Sequence, residues 1–412
     1  MFYTAQSGIW QTVWMEWVPE THIESLKITP LFDKSAVRLE ITLTRPESME
    51  IQMLWEKDSF CHYVDKRDFP EDSNRFTHEI ALPDFRPWSP EDPFLYELQL
   101  LAGEDRVHSY FAMRKFSVGL DEKQRPRLFL NNKPYFFNGV LDQGYWPESL
   151  YTPPCDEAMI FDIQKMKELG FNMLRKHLKI EPLRWYYHCD RLGMVVWQDM
   201  VNGGGRPFMP FVCYLPTALP FVSSLIKDHS YPLFSRTSKK GRELWEKSCR
   251  DTVELLYNCP CIGLWVPFNE GWGQFDALRI TAMIRHLDDT RLIDHASGWY
   301  DQGGGDVKSV HNYFRTLKVK RDRRKRPFVL SEYGGCTYAV KGHLHSDKSY
   351  GYRTYQSAEE FSKAFWALQE KIKKLEEKGL SAAVYTQLSD VEEEINGLYT
   401  YDRKELKVLP KN

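Results

Sequence analysis

The stretch LWVPFNEGWGQFD, residues 264–276, closes a short apolar run with the polar pair Asn269-Glu270 and passes into a glycine-rich turn. A run of this length bounded by turn residues predicts a strand over 262–270 that is buried on both faces, as in a parallel sheet. Working outward, comparable runs occupy 135–140, 172–177, 194–200, 292–297, 307–313, 328–333 and 381–388. Helical spacing of apolar residues fills 156–169, 182–192, 239–257, 275–287 and 358–378 between most of them. Eight strands alternating with helices predict a TIM (β/α)8 barrel, whose active sites lie at the C-terminal ends of the strands. A long Gly/Pro/Phe-rich excursion, 201–238, follows the third strand on that same side. The ending YDRKELKVLPKN comes too soon after the eighth strand for a full closing helix.

Upstream, the periodicity changes from mixed to alternating. Val37, Leu39, Ile41 and Leu43, then Ile51, Met53 and Trp55, then residues 94–101, alternate with polar residues between Pro/Asp/Glu-rich turns. This predicts an immunoglobulin-like antiparallel β-sandwich over 20–118, followed by the barrel over 119–412. A chain of 412 residues has room for two to three domains.

Composition narrows the function classes. Lys+Arg 55 against Asp+Glu 57 leaves a net charge of -2, which argues against nucleic-acid or anionic-membrane partners. No window is long and apolar enough for a membrane span, and MFYTAQSGIW lacks the layout of a signal peptide, so a cytoplasmic address is expected. The eight cysteines have no paired CxxC spacing and read as reduced core thiols. Aromatic residues make up 14%, and flat rings suit the apolar faces of sugars. The run KVKRDRRKR, 318–326, falls where the sixth barrel helix belongs and reads as its solvated face. His343-Leu344-His345-Ser346-Asp347 lacks further spaced ligands, and Gly203-Gly204-Gly205 lacks a phosphate-binding context, so no metal and no cofactor is expected.

Glu270 ends the fourth strand and, in FVLSEYGG, Glu332 ends the seventh, so both face one cavity. Two carboxylates there suit glycoside hydrolysis, one as acid/base and one attacking the anomeric carbon. A salt-bridged barrel rim is the alternative reading of the same two residues.

The wording around the two glutamates, Asn269-Glu270-Gly271-Trp272 and Ser331-Glu332-Tyr333-Gly334, resembles the active-site signatures of glycoside hydrolase family 2, which includes β-galactosidases, β-glucuronidases and β-mannosidases. SGIWQTVWME resembles the end of that family's jelly-roll sugar-binding domain, which makes 1–19 its expected remnant, and PWSPEDPFLYEL resembles its immunoglobulin-like domain. RKHLKIEPLRWYYHCDRLGMVVWQDM, HNYF and YTQLSDVEEEINGLYTYDRK resemble its barrel strands two and three, six and eight. The resemblance implies Glu270 as acid/base and Glu332 as nucleophile, with net retention. It also implies Asn269 on the sugar 2-hydroxyl, Tyr313 donating to the nucleophile, and Arg175 holding Glu332 ionised. His177, Asp199, Trp299 and Asp142 stand at other strand ends as subsite residues, with rim packing or a core hydrogen bond as equal alternatives.

The expectation is a retaining exo-β-glycosidase nearest in wording to β-galactosidases, with carbohydrate as its partner and a homo-oligomer left open. No motif decides between galactose, glucuronate and mannose. The alternative is a truncated, weak or silent member that retains the fold and binds sugar through Trp272, Trp299 and Trp146.

Overall fold

Alternating burial organises the first part of the chain. The computed structural model describes residues 3–55, 58–70, 73–223 and 225–411. Strands β1 (Ile23–Leu31), β2 (Ala36–Leu43), β3 (Met49–Trp55), β4 (Asp58–Val64), β5 (Arg75–Ala81), β6 (Tyr96–Ala102) and β7 (Asp105–Phe111) follow one another. They pair antiparallel in two sheets, β1-β2-β5 and β4-β3-β6-β7. Val37, Leu39 and Ile41 of one sheet meet Ile51, Met53 and Leu98 of the other in a single core, because period-2 spacing puts every second side chain on the inner face. This is an immunoglobulin-like sandwich.

A hairpin, β8 (Phe116–Leu120) with β9 (Pro126–Leu130) and the short β10 (Lys133–Pro134), leads into the barrel. Phe116, Leu128 and Leu130 belong to the barrel core. A Cβ on Gly263 would lie 2.8 Å from the Phe116 ring, so a glycine is what lets that ring seat. The sandwich is tied on by Trp88, whose indole donates to Asp190 O (2.8 Å), and by Tyr110, whose hydroxyl donates to Asp190 Oδ2 (2.7 Å).

The remaining strands are β11 (Phe137–Asp142), β12 (Met173–Lys176), β13 (Val195–Asp199), β14 (Ile262–Val266), β15 (Leu292–Ile293), β16 (Lys308–Asn312), β17 (Phe328–Gly334), β18 (Cys336–Tyr338), β19 (Arg353–Tyr355) and β20 (Leu380–Thr386). Eight of them form a sheet in the order β15-β14-β13-β12-β11-β20-β17-β16, every neighbour parallel. The seam between β15 and β16 is bridged by Asp306, whose N–H donates to Ile293 O (2.8 Å) and whose Oδ2 accepts from Ile293 N (2.7 Å). All residues of β12, β13, β14, β17 and β20 are buried, as a TIM-barrel sheet covered by helices requires.

The helices are α1 (Asp156–Glu168), α2 (Leu183–Leu192), α3 (Leu215–Ala218), α4 (Pro220–Ser223), α5 (Lys239–Leu256), α6 (Ala277–Leu287) and α7 (Ala358–Glu376). α5 shows the logic. Ser238 caps it by accepting from Gly241 N (3.0 Å), and Trp245, Cys249, Thr252, Val253 and Leu256 recur on its one buried face.

Three expectations need correction. No helix forms over 318–326, where consecutive like charges offer no apolar stripe to bury. Arg326 instead folds onto Asp301 (2.7 Å) and Asp322 (2.9 Å). The fourth strand stops at Val266, before Pro267, which has no N–H for a ladder, and the fifth stops at Ile293. After β20 the chain returns as irregular backbone whose buried Lys407 holds Asp390 (2.7 Å) and Ile395 O (3.0 Å). At the other end, residues 3–22 contain no helix or strand. Among the described residues, no helix is long and apolar enough to cross a membrane.

Candidate active site

The C-terminal ends of β12, β13, β14, β16 and β17 converge on two glutamates. Glu332 lies within β17, whereas Glu270 stands four residues past the end of β14 with its backbone in the left-handed region (φ 54°). Its N–H donates to Ser297 O (3.0 Å), which holds a conformation that non-glycine residues seldom adopt and turns the carboxyl inward. Gly271 follows because a Cβ there would overlap the Tyr300 ring. One oxygen of Glu270, one of Glu332 and a ring nitrogen of His311 lie within 4.8 Å of one another.

The two carboxyls have different surroundings. Glu332 Oε1 accepts from Arg175 Nη1 (3.0 Å), and its Oε2 accepts from the Tyr313 hydroxyl. Burial holds that phenol well above its ordinary value, so it stays a donor. Arg175 is fully buried: its Nε and Nη2 grip both oxygens of Asp199 (3.0 Å each) and Nη2 also reaches Asn269 Oδ1 (2.8 Å). Burial opposes its charge, but Asp199 and Glu332 outweigh that and bind the proton more firmly. Glu270 is pushed up to about 7 by burial, although Arg175 pulls the other way.

His311 stands between the glutamates, Nδ1 2.8 Å from Glu270 Oε1 and 3.5 Å from Glu332 Oε2. Burial lowers it to about 4, so the ring is neutral near pH 7. Its Nε2 meets the Ser297 hydroxyl (3.2 Å), which can donate or accept, so the ring can present Nδ1 either as acceptor to a protonated Glu270 or as donor to an ionised one. His177 is likewise kept neutral by burial, its Nδ1 on Gln143 Oε1 (2.7 Å) and its Nε2 on Asn269 Nδ2 (3.2 Å). Asn269 is thereby oriented from both ends.

The structure thus brings together Glu270, Glu332, Asn269, Tyr313, Arg175, His177 and Asp199, with Trp299 against the His311 ring at 5.9 Å between centroids. It does not bring Asp142 there. Both Asp142 oxygens are taken, by Lys176 Nζ (2.6 Å) and Gly144 N (2.8 Å), because Lys176 points to the opposite side of β12 from Arg175. Trp146 also lies elsewhere, lining a cavity of about 250 Å³ with Pro147, Phe161 and Arg403. The 201–238 excursion covers the rim: Phe211, Val212 and Phe234 form a small core with Tyr300, against which Trp272 and Trp299 pack.

Sequence reasoning missed His311, Ser297 and Tyr352. His311 carried a usable signal, since it stands two residues before Tyr313, a spacing that puts both side chains on one side of extended backbone. Tyr352 carried none, being brought onto Tyr313 (4.0 Å, 5° between planes) by a loop. Glu270, His311 and Glu332 offer a cation two carboxylates and an imidazole, but Arg175 at 3.0 Å from Glu332 opposes one, so the set suits proton handling better.

Comparison with known proteins agrees with this architecture. The family model described as "Glycosyl hydrolases family 2, TIM barrel domain" matches residues 122–409, and "Glycosyl hydrolases family 2" matches 21–114. A β-galactosidase of Lactococcus lactis is 27% identical over 235 residues, 55% of this chain and 23% of its own length. One from Vibrio vulnificus is 30% identical over 362 residues, 79% of this chain and 32% of its own. The chain therefore spans a third or less of the length of these relatives. Among solved structures, a GH2 β-galacturonidase from Eisenbergiella tayi superposes with TM-score 0.68 at 17% identity, covering 94% of this chain and 71% of that one. A β-D-glucuronidase of Dictyoglomus thermophilum gives 0.69 at 16%, covering 94% and 67%. These likenesses show the fold alone. Since the barrel model by itself covers well over half of the residues, the chain belongs to glycosyl hydrolase family 2.

Proposed function

We propose that this chain is a retaining exo-β-glycosidase that removes terminal β-linked sugars, β-galactosidase-like in specificity, with residues 119–412 as its catalytic domain. The observation that carries the reading is the approach of Glu270 and Glu332 to within 4.8 Å in unequal environments. Retaining enzymes hold their carboxyls about 5–5.5 Å apart, whereas inverting ones leave about 6.5–9.5 Å for a water.

In this reading Glu332, hydrogen-bonded at both oxygens, attacks C1 of the sugar while the proton of Glu270 passes to the departing glycosidic oxygen. The C1–O bond breaks as the glycosyl ester on Glu332 forms. Glu270, now ionised and supported by Nδ1–H of His311, takes a proton from water, whose oxygen displaces Glu332 from C1 and restores the original configuration. Asn269, oriented by Arg175 and His177, has an amide hydrogen left for the 2-hydroxyl. The β-galactosidase relatives support galactose as the first sugar to test.

The test is incubation with 2-deoxy-2-fluoro β-galactosides, β-glucuronides and β-mannosides, followed by intact mass and peptide mapping. A glycosyl adduct on Glu332 is expected, and the reacting reagent names the sugar. A folded protein that takes no label and turns over none of the parent glycosides would support the silent reading instead.

A further inference from the structure

A cavity of about 180 Å³ lies between the loop that follows β16, Gly334 at the end of β17, Arg353 on β19 and helix α7. Its polar walls are Asn312, Tyr313, Arg315, Thr316, Arg353 and Lys371, and no acidic side chain lines it. Neither Glu270 nor Glu332 reaches it.

The cations in these walls are free to bind. Arg353 is exposed and Lys371 half-buried, and among the described residues neither side chain makes a hydrogen bond or an ion pair. Elsewhere on the surface comparable arginines find carboxylates, Arg279 on Glu246 (2.7 Å) and Arg285 on Asp306 (2.6 Å). Arg315 is anchored to the 201–238 excursion, its Nη2 donating to the carbonyls of Thr217 (2.7 Å) and Ala218 (3.0 Å), which leaves Nη1 and Nε unbonded. Asn312 Oδ1 accepts from Arg315 N (2.9 Å), so its amide hydrogens remain available, and the Thr316 hydroxyl adds another donor. The same loop runs on into Lys318 and Lys320, which pair with no carboxylate among the described residues. The local field is therefore positive although the chain as a whole carries -2.

Like charges gathered around one cavity repel, and an anion between them removes that repulsion. A guanidinium and an ammonium beside amide and hydroxyl donors suit a group made of several acceptor oxygens. A dianion gains more there than chloride or a single carboxylate, because each cation attracts both of its charges. The size of the cavity admits one compact group and not a polymer.

We propose that this cavity binds a small oxyanion of the phosphate class, held by Arg353 and Lys371, with Arg315, Asn312 and Thr316 completing its hydrogen bonds. The site is distinct from the catalytic pair and does not rest on the hydrolase reading. Inorganic phosphate and the phosphate group of a small metabolite share this chemistry.

The experiment is calorimetric titration of the full chain with inorganic phosphate, with chloride adjusted to hold the ionic strength constant. Saturable binding at one site is expected. Arg353→Met together with Lys371→Met should weaken it at least about tenfold, because charge-assisted hydrogen bonds are lost. Neither side chain is bonded within the fold, so the melting temperature without phosphate should stay the same. The single variant Arg353→Gln, at an exposed position, should show a smaller loss in the same direction. Lys374→Met removes a charge from the exposed face of α7 outside the cavity and should leave the affinity unchanged. Glucose 6-phosphate, with glucose as the uncharged control, separates the two sources. An ester that binds more tightly than inorganic phosphate, and loses that advantage in the double variant, identifies a metabolite phosphate, whereas preference for inorganic phosphate identifies the free ion. Absence of saturable binding would overturn the proposal. So would binding that the double variant retains in full, or that Lys374→Met weakens as much as the double variant does.

Discussion

Nδ1 of His311 stands 2.8 Å from Oε1 of Glu270. With the imidazole lowered to about 4 and the carboxyl raised to about 7, both by burial, Glu270 holds its proton beside an uncharged His311 between those two values. A raised carboxyl pKa means that the acid form is present below about 7 and lost above it. We therefore expect kcat/KM for alkyl glycosides to fall on an alkaline limb near that value. Glu270→Gln should remove the limb and cost roughly 10²–10⁴-fold on alkyl glycosides, far less on dinitrophenyl glycosides that leave without protonation. Persistence of the limb in the variant would show that another group carries it.

Tyr313 donates to Glu332 while its ring lies flat on Tyr352 at 4.0 Å. Tyr313→Phe keeps the stacked ring and removes one hydrogen bond from the nucleophile. A hydrogen bond to a charged group contributes about 1.5–3 kcal/mol, so kcat should fall roughly 10–100-fold. The melting temperature should hardly move. Unchanged kcat would mean that the phenol is a packing element only.

The barrel was legible because strands buried on both faces leave runs that need no partner to be recognised, and 328–333 against Phe328–Gly334 shows how closely such a run marks its strand. Glu270, Glu332, Arg175 and Tyr313 were placed by strand ends and by the family wording. Asp142 misled because a strand-end position does not say which way a side chain points, and its neighbour Lys176 captured it. Run 318–326 misled because its place in the βα alternation suggested a helix that its charges cannot stabilise. Glu394, Gln387 and Tyr3 were out of reach, since they meet only when the loop after β20 and the segment near the start of the chain cross the same rim.

Arg175 neutralises two buried carboxylates at once, Asp199 and Glu332, each at 3.0 Å. Replacing it by Met keeps the volume and leaves both anions without a cation. Breaking a buried pair from one side costs about 3–5 kcal/mol, so urea melts of Arg175→Met should show a loss of that order. The double variant Arg175→Met, Asp199→Leu should recover part of it, because one stranded charge is gone. A single variant as stable as the parent would mean that the carboxyls protonate instead.

Glu394 gives a stability prediction whose sign is opposite to that of an ordinary salt-bridged acid. Burial, with the charge of Glu332 adding to it, lifts its carboxyl from 4.5 to about 7. Between those values the folded chain holds a proton that the unfolded chain has released, so stability is fully present below about 4.5, declines as pH rises, and is lost above about 7. Glu270 acts in the same direction. Asp301, held well below its ordinary value by hydrogen bonds from His295 and Arg326 that outweigh its burial, acts oppositely, and its contribution disappears only in stronger acid. Chemical denaturation at about pH 5 and about pH 8 should therefore show the protein less stable at the higher pH. Glu394→Gln, which cannot ionise, should reduce that difference by on the order of 2–3 kcal/mol. The same difference in both proteins would mean that Glu394 ionises in the fold as readily as in the unfolded chain.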